Sequence, residues 1–130
     1  MASSIIPFAR AVYLCDSYWG FSNGNVDLHG LFTTIRAERG FPHRQDQFRV
    51  FVQISNGLGN VPYTIEVRDT SNDDLMWETG PRELRFPDRQ TVIRLAHIIN
   101  GCVFERPGLY SVAIFCNNQW VCDTVIRLRS

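Results

Sequence analysis

Apolar and polar residues alternate along four segments of this chain, and the alternation restricts the fold more than any other feature. Successive side chains of a β-strand point to opposite faces, so a period of two is typical of a strand buried on one side. The four segments are residues 47–54, 61–69, 108–116 and 120–128. The residues predicted to face the core are Phe48, Val50, Val52, Ile54, Val61, Tyr63, Ile65, Val67, Tyr110, Val112, Ile114, Cys116, Trp120, Cys122, Ile126 and Leu128.

Weaker strand patterns occur near residues 9–15, 26–36, 75–79 and 91–99. Two Pro- and Arg-bearing stretches, residues 38–47 and 80–90, are predicted to be connections, and no stretch has the period of a helix. Seven or eight short antiparallel strands with regular turns predict an all-β, immunoglobulin/fibronectin-like sandwich. A length of 130 residues suits a single domain, and we predict that residues 1–130 form one.

Asn23-Gly24 is the strongest hairpin signal in the chain. Both central residues of a type I′ turn need positive φ, which Asn and Gly adopt readily. Gly30 interrupts the segment after this turn and marks a bulge or a close backbone approach. Residues 117–119 are predicted to form a three-residue loop, which would place Cys116 and Trp120 on the same face.

The sequence VFERPGLYSV, residues 103–112, has the pattern of a sandwich corner. Pro107 and Gly108 form a turn, and Tyr110 then opens a strand. In immunoglobulin-like domains a tyrosine at this place bonds through its hydroxyl to the upstream backbone. A buried tyrosine needs such a partner, so Tyr110 is predicted to be structural.

Four motifs together carry a family resemblance. They are YLCDSYW (13–19), DLHGLFTTI (27–35), FP (41–42) and VFERPGLYSV (103–112). In these motifs the chain resembles a family of small bacterial domains of unknown function, whose members resemble immunoglobulin-like sandwiches. The resemblance spans nearly the whole chain. It implies a fold and no activity, because none of its motifs is catalytic.

The charge balance argues against nucleic-acid binding. Thirteen basic residues, all of them arginine, are balanced by thirteen acidic residues, so the chain lacks a basic footprint. No apolar run approaches the length of a membrane span, and the first fifteen residues lack the pattern of a secretory signal. We therefore expect a cytoplasmic protein, whose four cysteines would be free thiols.

The sequence offers little catalytic or metal-binding chemistry. Cys15 is followed by Asp16, but a neighbouring carboxylate raises the pKa of a thiol and makes it a poorer nucleophile. Cys102 is the other candidate for a weaker hypothesis of an enzyme. The cysteines and histidines lack ligand spacing, so we expect no catalytic residue, no metal and no cofactor.

An acidic loop keeps a ligand-binding alternative open. Asp69, Asn72, Asp73 and Asp74 could bind calcium at a loop tip if carboxylates from a second loop, such as Asp16 or Asp123, converged there. The simpler interpretation is a polar turn, because Asp and Asn bond to their own backbone in turns.

The candidate partner-binding residues are mostly aromatic: Tyr18, Trp19, Phe21, Phe51 and Arg44. Aromatic side chains near a tight loop often anchor an interface, although they also close the end of a core. Phe51 alternates out of phase with its buried neighbours, which predicts an exposed side chain that meets a partner or a covering loop. Arg44 belongs to an arginine cluster that could receive an anionic partner.

These observations favour a non-enzymatic protein-interaction or accessory module whose partner is unknown. A partner could add a strand to a sheet edge or dock on Tyr18, Trp19 and Phe21. Self-association through a sheet edge is an equal alternative. A loop-tip binder of calcium, a lipid headgroup or a carbohydrate is the alternative function.

Overall fold

A computed structural model describes residues 4–130, and these residues form eleven β-strands and no helix. Consequently, nothing in the described part of the chain is a helix able to cross a membrane. The predicted all-β class is confirmed, but the predicted number of seven to eight strands is too low. The strands are β1 (Phe8–Cys15), β2 (Ser17–Gly20), β3 (Val26–His29), β4 (Thr34–Arg36), β5 (His43–Ser55), β6 (Gly59–Asp69), β7 (Leu75–Glu78), β8 (Arg82–Phe86), β9 (Ile93–Phe104), β10 (Gly108–Cys116) and β11 (Gln119–Arg129).

The strands form two larger sheets and one hairpin. The three-stranded sheet has the order β1-β5-β9, and the six-stranded sheet has the order β4-β11-β10-β6-β7, with β8 also pairing with β6. Strands β2 and β3 form a separate two-stranded sheet. All of these pairs are antiparallel except β4 and β11, which run parallel. The prediction of a wholly antiparallel fold is therefore wrong at this pair.

The inner faces of the two larger sheets share one apolar core. The alternating residues Phe48, Val50, Val52 and Ile54 of β5 are all fully buried. The inward residues of β6 and β10 lie in the same cluster. The period of two therefore identifies the core face correctly in these central strands. Complete burial of one such side chain contributes about 1.5–3 kcal/mol, so this core is the main source of stability.

The segment predicted as one strand over residues 26–36 is divided between two sheets. It breaks after β3, and β4 begins only at Thr34. β3 belongs to the hairpin, whereas β4 lies at the edge of the six-stranded sheet. β1 lies at the edge of the three-stranded sheet, so the N-terminal part of the chain contributes to every sheet.

The turn between β10 and β11 has two residues and not three. Asn117 and Asn118 both have positive φ, 52° and 63°, as a tight hairpin of this kind requires. Trp120 consequently lies opposite Phe115 and is 60% exposed, so the prediction that it shares the core face with Cys116 is wrong. A register shift after this pair returns Cys122 to the core, where it pairs with Ile114.

Strand β8 lies where the sequence predicted a connection. Its residues Leu84 and Phe86 are buried, while the residues between and before them are exposed. β8 pairs with the first half of β6, from Gly59 to Tyr63. The strand is short and has a proline on each side, so its alternation in the sequence is too brief to predict a strand.

Candidate interaction surface

The β2–β3 hairpin turns at Asn23-Gly24, although not in the predicted way. The Gly24 N–H donates to the carbonyl oxygen of Phe21 at 3.0 Å, and the Phe21 N–H donates to the carbonyl oxygen of Asn25 at 2.9 Å. Gly24 has a φ of 87°, whereas Asn23 is not in the positive region. The turn is a β-turn of residues 21–24 that ends in a left-handed glycine, so the type I′ assignment is wrong.

The hairpin lies across the outer face of the three-stranded sheet. The ring of Tyr18 stacks on that of Phe51, with 6.2 Å between centroids and 28° between planes. Phe51 is only 5% exposed. Of the two alternatives for Phe51, a partner or a covering loop, the structure shows the covering segment, so the prediction of an exposed side chain is wrong. Tyr18 is half-buried in this contact and supports the hairpin.

Two arginines fix the hairpin to the sheet beneath it. At its base, the Arg49 guanidinium donates to the backbone carbonyl oxygen of Asp16 at 3.1 Å. At its tip, the Arg94 guanidinium donates to the carbonyl oxygen of Gly24 and also to the side-chain oxygen of Gln53. Each arginine extends from a strand of the three-stranded sheet, so both ends of the hairpin are held in place.

The opposite face of the hairpin points into solvent. Trp19 is 61% exposed and Phe21 is 52% exposed, because these odd-numbered residues alternate with the inward Tyr18. The ring of His29 meets that of Trp19 edge to face at a centroid distance of 6.5 Å. We call Trp19, Phe21 and His29 the hairpin patch.

Gly30 joins the hairpin to the rest of the chain at a very close approach. It has a φ of 68°, and a Cβ atom built on it would lie 2.3 Å from a carboxylate oxygen of Asp16. The Asp16 N–H donates to the carbonyl oxygen of His29 at 3.0 Å, which aligns the two chain segments. Only glycine fits both the backbone conformation and the available space.

Arg44 lies near the start of β5, seven residues before Phe51, a separation of about 23 Å along an extended strand. Its guanidinium forms a 2.7 Å ion pair with the exposed carboxylate of Asp46. A surface cleft of about 350 Å³ next to it is lined by Arg36, Glu38, Arg39, Gly40, Pro42, His43 and Arg44. This cleft includes Arg44 and none of the aromatic candidates.

Tyr110 and Asp69 hold together the corner between β9 and β10. The Tyr110 hydroxyl donates to the Arg106 carbonyl oxygen at 2.6 Å across the turn formed by Pro107 and Gly108. The Arg106 guanidinium in turn donates to a carboxylate oxygen of Asp69 at 2.9 Å. This cluster connects β10 to the end of β6, and its polar groups are hydrogen-bonded to one another.

The acidic loop is organised around the same carboxylate. One oxygen of Asp69 accepts hydrogen bonds from the backbone N–H and the hydroxyl of Ser71, and the other binds Arg106. Asp123 lies opposite Ala113 in the body of β11 and not at this loop. Over residues 4–130, no three His, Cys, Asp or Glu side chains are grouped to hold a metal ion. The geometry of the loop is that of an internally bonded turn.

All four cysteines, which lie within the described residues, are buried free thiols. Burial raises the pKa of Cys102 to about 12 and that of Cys116 to about 11. Burial also raises the pKa of Cys15, more than the nearby Arg49 lowers it, and Asp16 adds to the rise. A thiol with a raised pKa carries little thiolate near neutral pH, so neither Cys15 nor Cys102 has the environment of a nucleophile.

One aromatic residue that the alternation predicts in the core is exposed in the structure. Trp120 is as exposed as Trp19, but it lies on the outer face of the six-stranded sheet. The signal that identifies it is the pair Asn117-Asn118, since a two-residue turn reverses the face of the residues that follow.

These features define a layered all-β domain with one aromatic hairpin fixed on its surface. The model of a family of unknown function (DUF6941) matches residues 10–129, and the chain belongs to this family. A comparison with curated proteins gave no match. Family membership thus agrees with the resemblance to a family of unknown function, and the chemistry of the surface has to supply the functional argument.

Proposed function

We propose that this protein is a non-enzymatic protein-interaction module that binds a partner through the hairpin patch. The observation that carries the proposal is the exposure of Trp19 and Phe21 on a hairpin fixed at both ends. Large aromatic side chains dominate the energetics of protein interfaces. Because the hairpin backbone is already ordered, binding would lose little conformational entropy.

We further propose an immunoglobulin-like sandwich as the framework of this module. The support is the strand order, because β1-β5-β9 and β11-β10-β6 follow the arrangement A-B-E and G-F-C of such domains. The place of Tyr110 near the start of β10 also fits the tyrosine corner of strand F. Strand β4, which pairs in parallel with β11, adds to the edge of the second sheet.

A cytoplasmic location is part of the proposal. The support comes from the four cysteines, which are buried and unpaired. In an oxidising compartment, a chain of this size commonly uses its cysteines in disulfides. The balanced charge also fits a protein partner better than a nucleic acid.

A quantitative affinity capture from lysate of the protein's own cells tests the proposal. The tagged wild-type protein is compared with the double variant Trp19→Ala/Phe21→Ala and with the control Trp120→Ala. Trp120 is an apt control, because it is 60% exposed against 61% for Trp19 and lies on a different sheet. We expect one protein other than this chain in stoichiometric amount with the wild type and the control, and its loss with the double variant.

A robust catalytic turnover by the purified protein would contradict the non-enzymatic part of this proposal. Capture that is unchanged in the double variant would contradict the assignment of the hairpin patch. Both variants carry substitutions at exposed positions, so their thermal melting curves should match that of the wild type within a few degrees.

A further inference from the structure

Within residues 4–130, no segment covers the outer face of the six-stranded sheet in the way that the hairpin covers the other sheet. Leu109 is 48% exposed, Val125 is 46% exposed and Trp120 is 60% exposed on this face. Ala113 and Phe115 of β10 lie between these residues and give the centre of the face an apolar character.

Charged side chains on this face are arranged in rows that run across the strands. One row is acidic: Glu66 and Asp123 lie on either side of Ala113, and Glu78 continues the row on β7. In the next row, two residues along each strand, Arg68 lies opposite Ser111. Glu66 and Arg68 are neighbours on the same strand and form a 3.2 Å ion pair.

This order makes the face complementary to itself along β6, where Glu66 and Arg68 carry opposite charges. A two-fold axis lying in the plane of contact, between the acidic row and the row of Arg68, exchanges the two rows. It would bring Glu66 of each copy against Arg68 of the other, so that the four side chains form a ring of alternating charge. A two-fold contact of this kind is isologous, which is the commonest arrangement of soluble dimers.

The same axis also places apolar residues of the two copies against each other. Phe115 would face Leu109 of the second copy, because these residues lie at equal distances on either side of the axis along β10. Trp120 would face Arg127 of the second copy, because these residues lie opposite Phe115 and Leu109 on β11. An arginine over an indole face is a favourable cation–π pair.

We propose that the outer face of the six-stranded sheet binds a second copy of this chain, face to face, with Glu66 of each copy paired to Arg68 of the other. This contact is distinct from the hairpin patch, which lies on the other sheet. It therefore leaves Trp19 and Phe21 of both copies free for the proposed partner.

Sedimentation velocity of the full chain over a wide concentration range tests the proposal. We expect a reversible monomer–dimer equilibrium that weakens as salt is added, because the charged pairs are partly exposed. Glu66→Arg should weaken the dimer by about tenfold or more, since it places like charges together. The swapped variant Glu66→Arg/Arg68→Glu should restore most of the lost affinity, because the exchanged rows are again complementary.

Two further variants separate this face from other surfaces. Trp120→Ala should weaken the dimer, and Trp19→Ala should leave its dissociation constant unchanged. A protein that stays monomeric at every concentration would overturn the proposal. A dimer that is insensitive to Glu66→Arg, or one that the swapped variant fails to rescue, would also overturn it and would indicate a sheet edge or another face.

Discussion

The hydroxyl of Tyr110 lies 2.6 Å from the carbonyl oxygen of Arg106, four residues earlier in the chain. The same hydroxyl accepts a hydrogen bond from the Arg106 N–H at 3.2 Å. Tyr110 is fully buried, and its ring packs edge to face against Phe104 with 4.8 Å between centroids. One side chain therefore satisfies both backbone polar groups of Arg106 at the corner between β9 and β10.

Replacing Tyr110 with Phe tests the strength of this corner. The variant keeps the ring packing and leaves the Arg106 backbone groups without their partner. We expect a loss of about 0.5–1.5 kcal/mol in the free energy of unfolding, the usual net contribution of a hydrogen bond, because Arg106 is exposed and water can replace the hydroxyl. Urea denaturation followed by tryptophan fluorescence measures it, and an unchanged midpoint would show that the hydrogen bonds contribute nothing net.

Asp69 makes the stability of the protein vary with pH in the acidic range. Hydrogen bonding from the Ser71 backbone, then from the Ser71 hydroxyl and Arg106, lowers the pKa of Asp69 below its ordinary value of 3.8. A carboxyl group whose pKa is lowered in the folded state makes its full contribution to stability at pH values above its pKa in the unfolded chain. That contribution is lost as the pH falls below 3.8 and through the folded-state pKa.

The matched variant for this effect is Asp69→Asn, which cannot ionise. We expect the difference in stability between the wild type and Asp69→Asn to be constant near neutral pH and to shrink as the pH falls below 3.8. Denaturation midpoints measured at a series of pH values provide the comparison. A difference that stays constant down to the acid limit would mean that the folded protein does not favour the ionised form of Asp69.

Gly30 and Gly24 both have positive φ, but only Gly30 faces a neighbouring group. A Cβ on Gly30 would lie 2.3 Å from the Asp16 carboxylate, whereas a Cβ on Gly24 would meet nothing within 4 Å. Gly24→Ala should therefore cost about 1–2 kcal/mol, the penalty for an L-residue in the left-handed region. Gly30→Ala should cost clearly more in the same thermal denaturation experiment, and equal losses would contradict the close approach.

Phe51 and Phe8 form a second matched pair. Phe51 is 5% exposed beneath Tyr18, and Phe8 is 61% exposed at the start of β1. We expect Phe51→Ala to destabilise the protein by about 3–5 kcal/mol, as for other buried phenylalanines, and Phe8→Ala to have a much smaller effect. Limited proteolysis should also cut the hairpin faster in Phe51→Ala, because the hairpin loses its stacking contact. Resistance equal to that of the wild type would mean that the arginine contacts alone hold the hairpin.

The cysteines should be inert towards thiol reagents in the folded protein. Burial raises the pKa of Cys122 to about 12, like that of Cys102, so both access and ionisation oppose reaction. We expect labelling by a disulfide reagent at pH 8 to be no faster than global unfolding, and all four thiols to react in denaturant. A thiol that labels rapidly in the native protein would identify an accessible nucleophile and reopen the hypothesis of an enzyme.

Much of the candidate site could be located in the sequence, but its orientation could not. Asn23-Gly24 correctly placed the hairpin turn, and Trp19 and Phe21 are exposed beside it. The alternation along β5 predicts that Phe51 faces away from the core, yet whether that outer face is covered depends on where the hairpin docks. Docking is fixed by Arg49 and Arg94, which are distant in sequence, so no local pattern reports it.

The sequence by itself determined the central strands and their buried faces, because strand alternation is a local property and the core of β5, β6 and β10 obeys it residue by residue. Only the tertiary structure decided which outer faces are open. A hairpin covers the outer face of one sheet at Phe51, whereas Trp120 on the outer face of the other sheet is 60% exposed. The physical reason is that burial of an outer face requires contact with a segment remote in the chain, and such contacts are set by the packing of the whole molecule.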